Sequence, residues 1–129
     1  MAESQACNPI FEGLNPEQTE AVRAVRGPVC ILAGAGSGKT TTITRRIAHQ
    51  VATGTFRGGE ILAVTFTDKA AGELKRRLQA LGVEGVEART FHSAALSQLS
   101  RLWSSHTGEA LPEVLDHKAP LIASLANAL

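Results

Sequence analysis

Val29-Cys30-Ile31-Leu32-Ala33-Gly34-Ala35-Gly36-Ser37-Gly38-Lys39-Thr40 is the stretch on which the fold turns. Its first five residues form a continuous apolar run, the pattern of a strand buried on both faces of a parallel sheet. Alternating glycines follow, and Lys39 opens an amphipathic helix in which Ile43, Ile47, Ala48 and Val51 recur at three- and four-residue steps before Gly54. Strand, glycine-rich turn and helix in direct succession are the setting of a phosphate-binding loop. Glycines let successive N–H groups turn inward, the helix presents its positive end, Lys39 reaches β- and γ-phosphates, and the Thr40 hydroxyl suits Mg²⁺. The first position is Ala33, where the general pattern has glycine. A glycine-rich turn with no ligand is the bland reading, and Gly38-Lys39-Thr40 in this setting argues against it. The stretch therefore predicts a nucleoside triphosphate site built from Ala33, Gly34, Ala35, Gly36, Ser37, Gly38, Lys39 and Thr40, with Thr41 beside it.

Upstream, Asn15-Pro16-Glu17-Gln18 is a helix start, with Asn15 as N-cap, Pro16 at the first helical position and Ala21, Val22 and Val25 as the apolar face. Gly27-Pro28 stops that helix. Downstream the alternation repeats: Ile61 to Phe66 reads as a second buried strand, Asp68 to Leu81 as a helix, and Val86 to Arg89 as a short third strand. A helix begins near Phe91 and runs to about Trp103, Ser104 to Pro112 reads as a loop, and a last helix takes Pro120 into its first turn with Asp116 near its cap. Strand and helix in alternation mean an α/β fold, a parallel sheet with right-handed crossovers and flanking helices.

The chain has 129 residues, 43% hydrophobic and 19% charged, which suits one soluble globular domain. No apolar run approaches the roughly 20 residues of a membrane-spanning helix. The start, Met-Ala-Glu-Ser-Gln, lacks the marks of a secretory signal, and Cys7 and Cys30 are too few for a disulfide framework, so a cytoplasmic location is expected. The net charge of +1 excludes a polycation that holds nucleic acid by bulk charge. Its distribution is uneven: residues 1–38 carry −2, residues 39–101 carry +5 and residues 102–129 carry −2. Four Phe, one Trp and no Tyr leave any base stacking to one or two phenylalanines. Lys75-Arg76-Arg77, the densest basic run, reads as a solvated helix face.

Three further segments accompany the phosphate loop: Leu14-Asn15-Pro16-Glu17-Gln18, Leu62-Ala63-Val64-Thr65-Phe66-Thr67-Asp68-Lys69-Ala70-Ala71, and Thr90-Phe91-His92-Ser93. In this order and spacing the four resemble the amino-terminal part of superfamily 1A DNA helicases, the UvrD/PcrA/Rep group, over roughly residues 10–103. Arg26-Gly27-Pro28-Val29-Cys30 and Ala70-Ala71-Gly72-Glu73 look like its actinobacterial UvrD-like branch. The resemblance implies a P-loop NTPase (RecA-like) fold, ATP and Mg²⁺ as cofactors, and a parent that unwinds DNA in repair or replication. It implies that Gln18 recognises adenine, a role its amide suits because it donates and accepts at once. The same side chain also suits a capping box with Asn15. Thr65, Phe66 and Thr67 are implied to contact single-stranded DNA, with Phe66 either stacking a base or completing the core, and Asp68 serving as the helix cap. Thr90, Phe91 and His92 are implied at the DNA backbone, Phe91 again with a core alternative. Relatives commonly carry Arg where this chain has Thr41.

Phosphoryl transfer in such motors needs a strand-end carboxylate for Mg²⁺, a second acid to orient water, and arginines. No Asp-Glu pair occurs, and Glu109, Glu113 and Asp116 follow no apolar strand. The resemblance therefore implies a fragment with an incomplete first motor domain. Residues 1–13 are then a tail, 14–103 the ATP-binding part of domain 1A and 104–129 the start of the inserted helical subdomain 1B. The implied partners are DNA, single-stranded or at single/double-strand junctions, and the rest of the same polypeptide (domains 1B, 2A and 2B). Two rivals are a nuclease-linked helicase of the RecB/AddA sort and a P-loop regulator whose basic block meets an acidic partner.

Overall fold

A computed structural model describes residues 8–128; Met1–Cys7, read above for a targeting signal, and Leu129 lie outside the described residues. Five helices and two strands are described: α1 Pro16–Arg23, α2 Lys39–Ala52, β1 Leu62–Thr65, α3 Asp68–Ala80, β2 Glu87–Thr90, α4 Phe91–Thr107 and α5 Ala119–Asn127. Two compact units divide after Ala94. None of the described helices is long and apolar enough to cross a membrane.

In the first unit β1 and β2 pair in parallel, with Leu62 opposite Glu87 and Thr65 opposite Thr90, and α3 is the crossover between them. Ile47 and Ala48 of α2, Ala63 of β1, Leu74 and Leu78 of α3, and Val83 form the core with Ile10 and Val22. The α/β class and the parallel pairing agree with the sequence reading.

The sheet departs from it at Val29–Ala33, which forms no strand and has no backbone partner among the described residues. Leu32 is 92% exposed. A strand buried on both faces needs hydrogen-bonded neighbours, and the two strands of the described sheet bond each other and not this segment. An open groove of about 690 Å³ lies instead between this segment and β1, lined by Val29, Ile31, Ile43, Leu62 and Val64. Apolarity reports what a segment prefers to meet, and here those neighbours are absent from the described sheet.

The chain ahead of this segment is tied from the side. Arg46 Nε donates to the Ala24 carbonyl at 2.9 Å and Gln50 Nε2 to the Val25 carbonyl at 2.9 Å, so α2 holds the chain as it leaves α1. A 3-10 turn at Gly58–Glu60, not anticipated from sequence, precedes β1. It lies so close to the loop before β2 that a Cβ on Gly58 would stand 1.9 Å from the Glu84 carbonyl oxygen.

In the second unit α4 continues to Thr107 rather than giving way to a loop at Ser104. The hydroxyls of Ser104, Ser105 and Thr107 each donate back to a carbonyl of the preceding turn, which lets these poor helix formers finish the helix. Gly108, at φ +71°, ends it. The cap position of α5 is Lys118, without a side-chain bond, and not Asp116.

Gly58→Ala should lower stability by about 1–3 kcal/mol, because backbone must move to admit the methyl. Gly59→Ala, which meets nothing within 4 Å, should be neutral or slightly stabilising. Thermal melting of the two variants beside the unaltered protein checks the contrast.

Candidate nucleotide and nucleic-acid sites

The candidate phosphate loop owes its shape to two glycines in left-handed backbone, Gly36 at φ +74° and Gly38 at φ +81°. Gly38 is the N-cap of α2, so the first N–H groups of the helix have no side-chain cap and are free for an anion. Thr42 donates through Oγ1 to the Gly38 carbonyl at 3.0 Å, and the Ser37 hydroxyl closes the loop on the Gly34 carbonyl. Lys39 is exposed at the mouth of a cavity of about 440 Å³ lined by Asn15, Gln18, Cys30, Leu32 and Gly34. Thr40, one residue on, lines the larger groove beside β1 together with Thr65 and Glu73.

Gln18 carries two local bonds at once. Its Oε1 accepts from the Asn15 N–H at 3.0 Å while Asn15 Oδ1 accepts from the Gln18 N–H at 2.8 Å, which completes the capping box. Its Nε2 donates to the Ser37 carbonyl at 3.2 Å, a tie between α1 and the phosphate loop that sequence reading did not anticipate. Cap and loop thus share one side chain, and one amide N–H stays available for a base edge.

The strand register brings the two remaining segments together. Thr65 and Thr90 are partners at the carboxyl ends of β1 and β2, so Phe66-Thr67 and Phe91-His92 leave the sheet side by side. The Phe66 and Phe91 rings lie 5.3 Å apart between centroids, tilted by 42°. Phe66 is 87% exposed and Phe91 about half exposed, so Phe66 does not complete the core. Thr67, not Asp68, caps α3, its Oγ1 accepting from the Ala70 N–H at 3.1 Å. Thr90, itself buried, accepts in the same way from the Ser93 N–H at 3.1 Å, and His92 is exposed. Two helix N-termini and two aromatic rings therefore share one sheet edge.

The basic run Lys75-Arg76-Arg77 is an exposed helix face, as read from sequence, and within it Arg76 and Arg77 both bond Glu73 of the same helix. The Arg77 hydrogen bond, helped by the charge of Arg76, holds the Glu73 carboxyl below the usual carboxylate range. Arg77 also donates through Nη1 to Thr41 Oγ1 at 3.0 Å.

The UvrD/REP helicase N-terminal domain family matches residues 14–123. The chain is 49% identical over 132 residues to the ATP-dependent DNA helicase UvrD2 of Mycobacterium tuberculosis, an alignment covering 96% of this chain and 19% of that protein. It is 44% identical over 97 residues to the ATP-dependent DNA helicase PcrA of Bacillus subtilis, covering 73% of this chain and 13% of the relative. With UvrD1 of M. tuberculosis it shares 47% identity over 92 residues, 67% of this chain and 12% of the relative. The chain thus spans a fifth or less of the length of these curated relatives.

Gln18→Ala should cost about 0.5–1.5 kcal/mol, because it deletes the Gln18 half of the capping box and the tie to Ser37 while the Asn15 cap on the residue-18 N–H remains, and should raise the dissociation constant of a nucleoside triphosphate roughly tenfold by freeing the loop. Melting and nucleotide titration of the full-length protein check both parts. For Glu73 the sign follows from its depressed carboxyl: the contribution is present above the unfolded value near pH 4 and is lost as pH falls through the lower folded value. Its carboxyl resonance in an NMR titration should accordingly show a midpoint below that of a free glutamate.

Proposed function

The chain belongs to the UvrD/REP helicase N-terminal domain family, and from that premise we propose that it is the ATP-binding opening of the first motor domain of an ATP-dependent DNA helicase. The observation that carries this reading is the strand register. It places the segments ending β1 and β2 at one edge, with Phe66 open to solvent, and Thr65 lines the groove that Thr40 also lines. A regulator with only a nucleotide loop has no use for that edge.

In this reading the backbone from Gly34 to Thr41 cradles the phosphates, Lys39 neutralises the β- and γ-oxygens, and Gln18 directs its remaining amide hydrogen at adenine. Among the described residues no group of three or more His, Cys, Asp or Glu could hold a metal. The Thr40 hydroxyl is compatible with Mg²⁺, which keeps several waters and takes phosphate oxygens in place of a full protein cage. When bound, Mg²⁺ neutralises developing charge on the phosphates. Single-stranded DNA lies across the paired segments, a base stacks on Phe66 and Phe91, and backbone phosphates meet Thr67, His92 and the N–H groups of the two helix N-termini, while buried Thr90 acts through its cap on Ser93.

Residues 14–103 serve as the ATP-binding part of domain 1A, and 104–129 begin the inserted subdomain. The carboxylates and arginines of hydrolysis belong to other parts of a longer polypeptide, whose strands fill the groove between Val29–Ala33 and β1. Residues 1–129 alone then bind Mg-ATP weakly and do not turn it over.

In the full-length protein, ATPase activity should rise on adding single-stranded DNA and fall by about 10²-fold or more in Lys39→Ala. Phe66→Ala should weaken single-strand binding roughly 5- to 150-fold with little loss of stability, the ring being 87% exposed and touching Phe91. ATPase indifferent to single-stranded DNA would remove the helicase reading. Turnover by purified residues 1–129 that Lys39→Ala abolishes would remove the incomplete-motor reading.

A further inference from the structure

Thr41 follows Lys39-Thr40 in the first turn of α2, and its hydroxyl bonds a side chain 36 residues further along the chain. Arg77 of α3 donates to it through Nη1 at 3.0 Å and through Nε to Glu73 Oε1 at 2.7 Å. The other Glu73 oxygen takes Arg76. Two donors of one planar fork thus have partners on two helices, on a side chain that is 43% exposed. Glu73 lines the same groove as Thr40, so the chain Glu73–Arg77–Thr41 runs alongside the candidate metal ligand.

The other end of α3 is the paired edge. Thr67 caps the helix and Phe66 precedes the cap, so one unbroken helix of 13 residues links that edge to Arg77. Arg77 stands about 14 Å along it from Asp68 at the helical rise per residue. A helix of this length moves as a body, and bonds at its two ends move together.

We propose that Arg77 is a positioning residue that links the single-strand edge to the phosphate loop: a shift of α3 when a strand engages Phe66 and Thr67 passes through the guanidinium to the first turn of α2. The link rests on the functional reading above and adds to it the residue that carries one site's state to the other. It differs from a solvated basic face, which requires no cross-helix bond, and from a phosphate contact, which requires Arg77 at the edge.

The test uses the full-length protein and an oligothymidylate. Arg77→Gln should leave the DNA-free ATPase rate and the oligonucleotide dissociation constant within about twofold, while reducing the stimulation by saturating oligonucleotide roughly threefold or more. Thr41→Val should reduce stimulation similarly and Thr41→Ser should retain it. Arg77→Gln with Thr41→Val should be no worse than Arg77→Gln alone, as for two ends of one bond. Unchanged stimulation in Arg77→Gln overturns the link, as do an equal fall with and without DNA, a weakened oligonucleotide affinity that accounts for the loss, or additive effects in the double variant. An unaltered protein whose ATPase ignores the oligonucleotide overturns the functional reading, and the link with it, before any variant is compared.

Discussion

The two hydrogen bonds from Arg46 and Gln50 to the carbonyls of Ala24 and Val25 tie α2 to the chain where it leaves α1. Backbone that lacks a strand ladder must satisfy its polar groups elsewhere, and the segment between α1 and the phosphate loop has no ladder among the described residues. Side chains of α2 take up its first carbonyls, and Gln18 of α1 returns to the loop at Ser37. Between these bonds the loop is held from both ends by helices, without a strand. The cost of burying Gln50 is offset because its amide is bonded.

The helices were legible because their signals are local. The Asn15 cap, Pro16, the spacing of Ile47, Ala48 and Val51, and the glycines of the phosphate loop each act within a turn or two, and each appears where its residues stand. The run Val29–Ala33 misled for a reason of the opposite kind. Its apolarity is real, but pairing depends on neighbours distant in sequence, and β1 and β2 pair only with each other. The end of α4 was missed because serine and threonine are weak helix formers until their hydroxyls bond the preceding turn.

At the candidate sites the same division holds. That Lys39 opens a helix was readable, whereas the dual use of Gln18 and the reach of Arg77 to Thr41 depend on how helices pack, and no short-range pattern encodes it. The choice between core and surface for Phe66 was likewise open in sequence, since a strand-end phenylalanine suits either. Exposure resolves it, and the ring lies beside Phe91.

The fate of the basic block bears on how this region would hold an anionic polymer. Arg46 is spent on a carbonyl, Arg57 on Glu60, Arg76 and Arg77 on Glu73, and Arg89 on Glu87. Glu60, Glu73 and Glu87 are already counted in the +5 of residues 39–101, so these pairs fix where the charge sits and leave its sum unchanged. The shared edge of β1 and β2 adds hydroxyls, rings and helix N-termini, groups that displace few condensed counterions. A strand of nucleic acid held there would meet dipoles and rings beside one exposed cation, Lys69 in the first turn of α3, so charge, stacking and dipoles would share the grip.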